Sequence, residues 1–118
     1  MAKVNTYREL EIWQKGIDIV KDIYSLVKSF PDEEKYGLSS QMKRAAISIP
    51  SNIAEGFRRQ HNKEFKQFLF ITFGSCAELE TQLTIAKELK YITLVKEEDI
   101  LRKIDHLCRM TSNLVKKL

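Results

Sequence analysis

The stretch QMKRAAISIPSNIAEGFRR, Gln41 to Arg59, decides how this chain folds. It reads as a helix, yet it holds a proline, Pro50, in its interior. Small residues crowd around that proline (Ala45, Ala46, Ser48, Ser51 and Ala54), and basic residues bracket the whole: Lys43 and Arg44 before it, Arg58 and Arg59 after it. An interior proline removes one backbone hydrogen bond and clashes with the preceding turn, at about 3 kcal/mol or more. A bland surface helix has no use for that cost. The segment therefore marks a kink, a close helix contact, a binding face, or a mixture of these. Its apolar face is Met42, Ala45 or Ala46, Ile49, Ile53 and Phe57. Its other face is Gln41, Arg44, Ser48, Ser51 or Asn52, Glu55 and Arg59. Ser39 or Ser40 serves as the expected cap of a helix over 39–57, whose end Gly56 weakens.

Toward the amino terminus, Leu10, Trp13, Ile17, Val20, Tyr24 and Val27 recur at spacings of three and four, which predicts a helix over 7–29. A second stripe, Ile12, Gly16, Ile19 and Ile23, lies beside the first and implies more than one packing neighbour. Phe30-Pro31 ends this helix, because a residue before proline disfavours the α region. The acidic run Asp32 to Glu34 suits the start of a short turn, and Gly37 breaks the chain again.

Toward the carboxyl terminus, Gln60 to Asn62 reads as a turn with Asn62 as cap, followed by a helix over 62–89. Phe65, Phe68, Leu69, Phe70, Ile71 and Phe73 point nearly all round that helix. Burial on all sides requires either a very central helix or an oligomer interface, and the interface is the favoured reading. Lys90 to Lys96 is a connection. The last helix, 97–117, carries Ile100, Ile104, Leu107, Thr111, Leu114 and Leu118 on one stripe and Leu101, Cys108 and Val115 on another. Acidic residues stand at its start and lysines at its end, as the helix dipole favours. Four amphipathic helices with short links predict an all-α, up-down-up-down four-helix bundle forming a single domain over 1–118.

Several strings in these helices are specific. LEIWQKGIDIVKDIY in the first, FPDEEKYGLSSQMKRAAISIPSNIAEG through the second and FGSCAELETQL in the third resemble the four-helix bundle proteins encoded within intervening sequences of bacterial 23S ribosomal RNA genes. The resemblance covers nearly the whole chain, the fourth helix matching only as a generic amphipathic one. It implies a left-handed bundle, a ring-like homo-oligomer that is a pentamer in relatives, and a role with RNA. The accessory proteins of diversity-generating retroelements are similar in fold, and they form basic pentameric barrels that engage a reverse transcriptase and RNA. The resemblance implies no enzymatic activity. At the position where the family often has the first arginine of an RRA string, this chain has Lys43, which keeps the charge and loses the forked guanidinium.

Composition narrows the chemistry. At 118 residues, 43% apolar and 31% charged, the chain has the make-up of one globular domain. No apolar run approaches the roughly 18 residues that a membrane span needs. MAKVNTYRELEIW lacks the apolar core of a secretory leader, so the expected compartment is the cytoplasm. Cys76 and Cys108 sit among apolar neighbours and read as reduced core thiols. His61 and His106 belong to no paired His or Cys spacing, and no metal or cofactor site is expected. There is no Gly-rich phosphate loop, nucleophile elbow or His-based triad, so an enzyme is not expected.

The net charge of +4 is unevenly placed. Each half of the chain carries ten basic and eight acidic residues, but Lys43, Arg44, Arg58, Arg59, Lys63 and Lys66 face only Glu55 and Glu64 within their window. Such a basic corner attracts phosphate-bearing partners, or it is a solvated helix corner. Arg44, Ser48, Asn52 and Glu55 lie close at helical spacing. They read either as a site for a polar ligand or, preferably, as a structural network that compensates Pro50 and pairs Arg44 with Glu55 across helices or subunits. Trp13, Tyr24 and Tyr36 could stack on bases, although Trp13 reads as core. Two functions follow. One is a non-catalytic oligomer that binds RNA or DNA phosphates through Arg44, Arg58, Arg59, Lys63 and Lys66. The other is an oligomeric scaffold for a protein partner.

Overall fold

The computed structural model describes residues 4–118, so the first three residues of the MAKVNTYRELEIW stretch lie outside it. Helix α1 spans Glu11–Val27, α2 Leu38–Arg58, α3 Asn62–Glu88 and α4 Leu94–Lys116. Each helix packs on its sequence neighbour and α1 also packs on α4, which leaves α1 and α3 diagonal, as are α2 and α4. The result is a four-helix bundle of 46 × 25 × 19 Å.

The core stripe of α1 differs from the stronger-looking of its two sequence stripes. Ile12, Gly16, Ile19, Ile23 and Val27 are buried, whereas Trp13, Ile17 and Val20 are half-buried and Tyr24 is exposed. The reason is Gly16. A Cβ on it would lie 3.2 Å from Cβ of Pro50 and 3.4 Å from Cγ2 of Ile49, so α1 and α2 touch at this glycine and the stripe containing it faces the core. Pro50 thus serves a close helix contact inside an α2 that continues through it. At the far end of α2, Gly56 repeats the device against α3: a Cβ there would stand 2.5 Å from Cβ of Phe68 and 3.1 Å from Cδ1 of Phe65. This glycine, read as a weak helix end, is a packing residue.

The helix starts also differ from expectation. A single 3₁₀ turn, Tyr7–Glu9, and an extended Leu10 precede α1. Neither Ser39 nor Ser40 caps α2. Gly37 precedes the helix, and Glu34 reaches in from the acidic turn to accept from the Leu38 backbone N–H at 3.0 Å. His61, not Asn62, precedes α3, without a side-chain cap. Helix α4 starts three residues earlier than predicted because Thr93 caps it, its hydroxyl accepting from the Lys96 N–H at 3.2 Å. The turn between α3 and α4 is built on Lys90 at φ 66°, with Tyr91 N–H donating to Ala86 O and Lys90 N–H to Lys87 O, both at 2.9 Å. This is the left-handed helix stop usually given to glycine. Glu34 also accepts from the Tyr91 hydroxyl at 2.9 Å, tying the α1–α2 and α3–α4 links together. That bond, with some burial, raises the Tyr91 phenol above its ordinary pKa.

Candidate nucleic-acid interface

Alternating helix direction gathers the start of α1, the end of α2, the start of α3 and the end of α4 at one end of the bundle. Arg58 and Arg59 close α2, Lys63 and Lys66 open α3, and the geometry adds three cations distant in sequence: Arg8 before α1, and Lys116 and Lys117 at the end of α4. Against these seven stand Glu9, Glu11, Glu55 and Glu64. The opposite end has the reverse balance, with Asp32, Glu33, Glu34, Glu88, Glu97, Glu98 and Asp99 against Lys28, Lys35, Lys87, Lys90 and Lys96. The bundle is therefore electrically polar along its 46 Å axis. With a screening length of about 8 Å at physiological salt, the two ends present separate fields to a partner.

Aromatic rings set the positions of several cations. The Arg8 guanidinium lies 5.4 Å from the Tyr7 ring centre and 5.3 Å from that of Trp13, while Arg58 lies 5.5 Å from Tyr7. Tyr7 and Trp13 pack on one another at 5.3 Å, and Arg59 sits 5.2 Å from Phe68. These contacts, each worth about 0.5–1 kcal/mol at exposed sites, hold the side chains over the corner without neutralising them. Beneath lies a crevice of about 680 Å³, with Leu10, Phe57, Phe65 and Leu114 as its apolar walls and Asn5, Gln60, His61 and Asn62 as polar ones. Gln60 makes the α2–α3 reversal at φ 64°. His61 is exposed beside the basic corner.

The other sequence-derived candidates stand elsewhere. Lys43 and Arg44 lie about four turns before Arg58, roughly 20 Å along the helix axis, and so do not join the cluster. The Lys43 amine is placed over the Tyr24 ring at 4.9 Å and Arg44 is exposed. Within the polar network, the Ser48 hydroxyl donates to Ala45 O at 2.6 Å and the Asn52 amide to Ser48 O at 2.8 Å. These bonds flank the Ala46 carbonyl that Pro50 leaves without its usual i+4 donor; neither goes to it. Arg44 and Glu55 are both exposed, eleven residues or about 16 Å apart along one helix, and do not pair within the chain.

Helix α3 is not central, because it packs only on α2 and α4. Its buried stripe is Phe65, Leu69, Thr72, Cys76, Leu79, Gln82, Leu83 and Ala86. Phe70, Ile71 and Ile85 on the outer side are 55%, 50% and 43% exposed, and nothing lies within 4 Å of a Cβ built on Gly74. A single chain leaves this apolar strip uncovered. Among the described residues, no helix is long and apolar enough to cross a membrane.

Comparison with known proteins agrees with the fold. The family model described as 23S rRNA-intervening sequence protein matches residues 8–113. A solved structure from Bacteroides thetaiotaomicron, described as a protein with unknown function from the S23 ribosomal protein family, is 25% identical in sequence. It superposes with a TM-score of 0.81, over 89% of this chain and 98% of its own. The curated proteins include no match.

Proposed function

This chain belongs to the 23S rRNA-intervening sequence protein family, and from that premise we propose that it is a non-catalytic homo-oligomer which binds RNA or DNA phosphates through the basic end of its bundle. The observation that carries the reading is the convergence of Arg8, Arg58, Arg59, Lys63, Lys66, Lys116 and Lys117 from four separate elements. A merely solvated corner needs no contribution from the far termini of the chain. Seven cations offset by four carboxylates are too few for tight binding by one subunit. Several copies in one ring, a pentamer by the family resemblance, multiply the contacts and the effective concentration. The uncovered strip of Phe70, Ile71, Gly74 and Ile85 on α3 is the face through which copies would join. Phosphate contacts of this kind read charge and shape, so little sequence preference is expected.

The same uncovered strip supports a second reading, an oligomeric scaffold for a protein partner in which the basic end is only solvated. Light scattering of the purified protein, with and without mixed short RNA and DNA at two salt concentrations, separates the two. Uptake at low salt that fades at moderate salt supports phosphate binding. An oligomer that ignores nucleic acid favours the scaffold, and a monomer counts against both.

A further inference from the structure

The basic end of the bundle offers more than charge. Its crevice of about 680 Å³ is walled by apolar side chains, Phe57 and Phe65 among them, and edged by Asn5, Gln60, His61 and Asn62. That volume falls in the range of small-molecule sites, about 300–1,000 Å³. A phosphate, charged and strongly hydrated, gains nothing from walls of leucine and phenylalanine. A nucleobase does, because its faces are flat and apolar and its edge carries donors and acceptors. Resting on the phosphate reading above, we propose that the crevice receives an unpaired base of a single-stranded RNA or DNA whose backbone lies on the surrounding cations.

The chain interleaves the two kinds of group. Arg59 directly precedes Gln60, Lys63 directly follows Asn62, Lys117 directly precedes Leu118, and Arg8 stands two residues before Leu10. Cations therefore accompany the crevice on three sides: the segment before α1, the α2–α3 turn and the end of α4. Its rim is complementary in charge to the phosphates that flank an inserted base.

The α2–α3 turn supplies the polar edge. Gln60 reverses the chain at φ 64°, and Gln60, His61 and Asn62 follow one another, all exposed. His61 precedes α3 without capping it, so its ring nitrogens are not committed to the helix start. Amides and imidazole both donate and accept, as base edges require. Phe57 and Phe65 meet edge-on, with ring centres 5.9 Å apart and planes at 89°. In that geometry the ring that contributes its edge keeps both of its faces off its partner. Stacking on such a ring tolerates any base, in keeping with weak sequence preference. A base in a duplex must first lose its pairing and stacking, so the single strand is the form that fits.

The test titrates the full chain at low salt with two fluorescent probes, a single-stranded oligothymidylate and an abasic strand of the same backbone and length. The base-bearing probe is expected to bind about tenfold more tightly, with the same salt dependence because the phosphates are the same. Pairing the oligothymidylate with its complement should abolish the advantage per phosphate. The variant His61→Ala/Asn62→Ala, at two exposed positions, should reduce the ratio by about threefold or more. The same comparison with ribose probes tells RNA from DNA, the larger ratio marking the preferred sugar. Equal binding of base-bearing and abasic strands would overturn the proposal and leave phosphate binding standing. Binding of neither probe would overturn both. A variant that keeps the ratio and changes the assembly mass would give the crevice to a second copy of the chain, and so overturn the proposal as well.

Discussion

At Gly56 α2 packs tightly against α3, and this contact makes the sharpest prediction at the scale of a single residue. Alanine is favoured over glycine in a helix interior by up to about 1 kcal/mol. Here, however, the added carbon would stand 2.5 Å from the Phe68 Cβ, which cannot move without moving its helix. Gly56→Ala is expected to destabilise by about 1–3 kcal/mol through overpacking, measured by denaturant unfolding. Gln82 offers the opposite case. It is 5% exposed, and its Oε1 is buried without a hydrogen-bond partner. Such an orphan costs about 1–3 kcal/mol, so Gln82→Met is expected to raise stability. A loss would show that the amide finds a partner in the assembly. The Lys103 amine donates to Asp22 at 2.7 Å, and that bond raises its pKa. A raised cation stabilises the fold fully below its unfolded value, about 10.4, and loses the contribution as pH climbs through the folded one. The gap in stability between wild type and Asp22→Asn should therefore stay constant from neutral pH to about 10 and close above it. It will be small, since the two side chains are 48% and 32% exposed. Of these residues, sequence singled out only Gly56, as a weak point near the helix end; its packing against α3 was not legible, because a glycine's neighbours across a seam lie outside its own helix.

At the scale of the element, periodicity located all four helices, and it did so because an amphipathic period is a property of the local chain. It did not choose between the two apolar stripes of α1, since Leu10–Trp13–Ile17 and Ile12–Gly16–Ile19 both have helical spacing and only the contact of Gly16 with Pro50 selects the second. Helix ends were legible where the cap is a local signal and obscure where it is not. Glu34 caps α2 from outside the helix, and Lys90 takes a backbone conformation that no glycine announces. The all-round apolar pattern of α3 was legible too, and the bundle covers only part of it. Phe70→Glu tests what the remainder does. At 55% exposure Phe70 contributes little to the single chain, so the unfolding free energy should change by no more than about 0.5 kcal/mol. If α3 joins copies, the same substitution should lower the assembly mass in sedimentation. An unchanged mass would remove this face from the interface.

At the scale of the whole molecule, the charge polarity of the bundle makes the functional prediction. Removing one phosphate-binding cation should reduce the slope of log affinity against log salt by about 1. Arg58→Ala/Arg59→Ala should thus lower the slope by about 2 and weaken binding across sequences. Arg8→Ala and Lys117→Ala should also weaken it, although they stand at opposite ends of the chain, while Lys43→Ala/Arg44→Ala should leave it nearly unchanged. Titration of a fluorescent single-stranded oligonucleotide over a salt series checks all four. Equal losses from every variant would point to net charge rather than to one end of the bundle. Sequence alone determined the helices, their order and the family resemblance, because amphipathic period, breakers and short links act over a few residues. It also marked Arg58, Arg59, Lys63 and Lys66, which are neighbours along the chain. Only the tertiary structure decided that Arg8, Lys116 and Lys117 stand with them and that Lys43 and Arg44 do not. These are juxtapositions between separate helices, set by the direction in which each runs and the rotation at which it packs, and no short stretch of sequence carries that information.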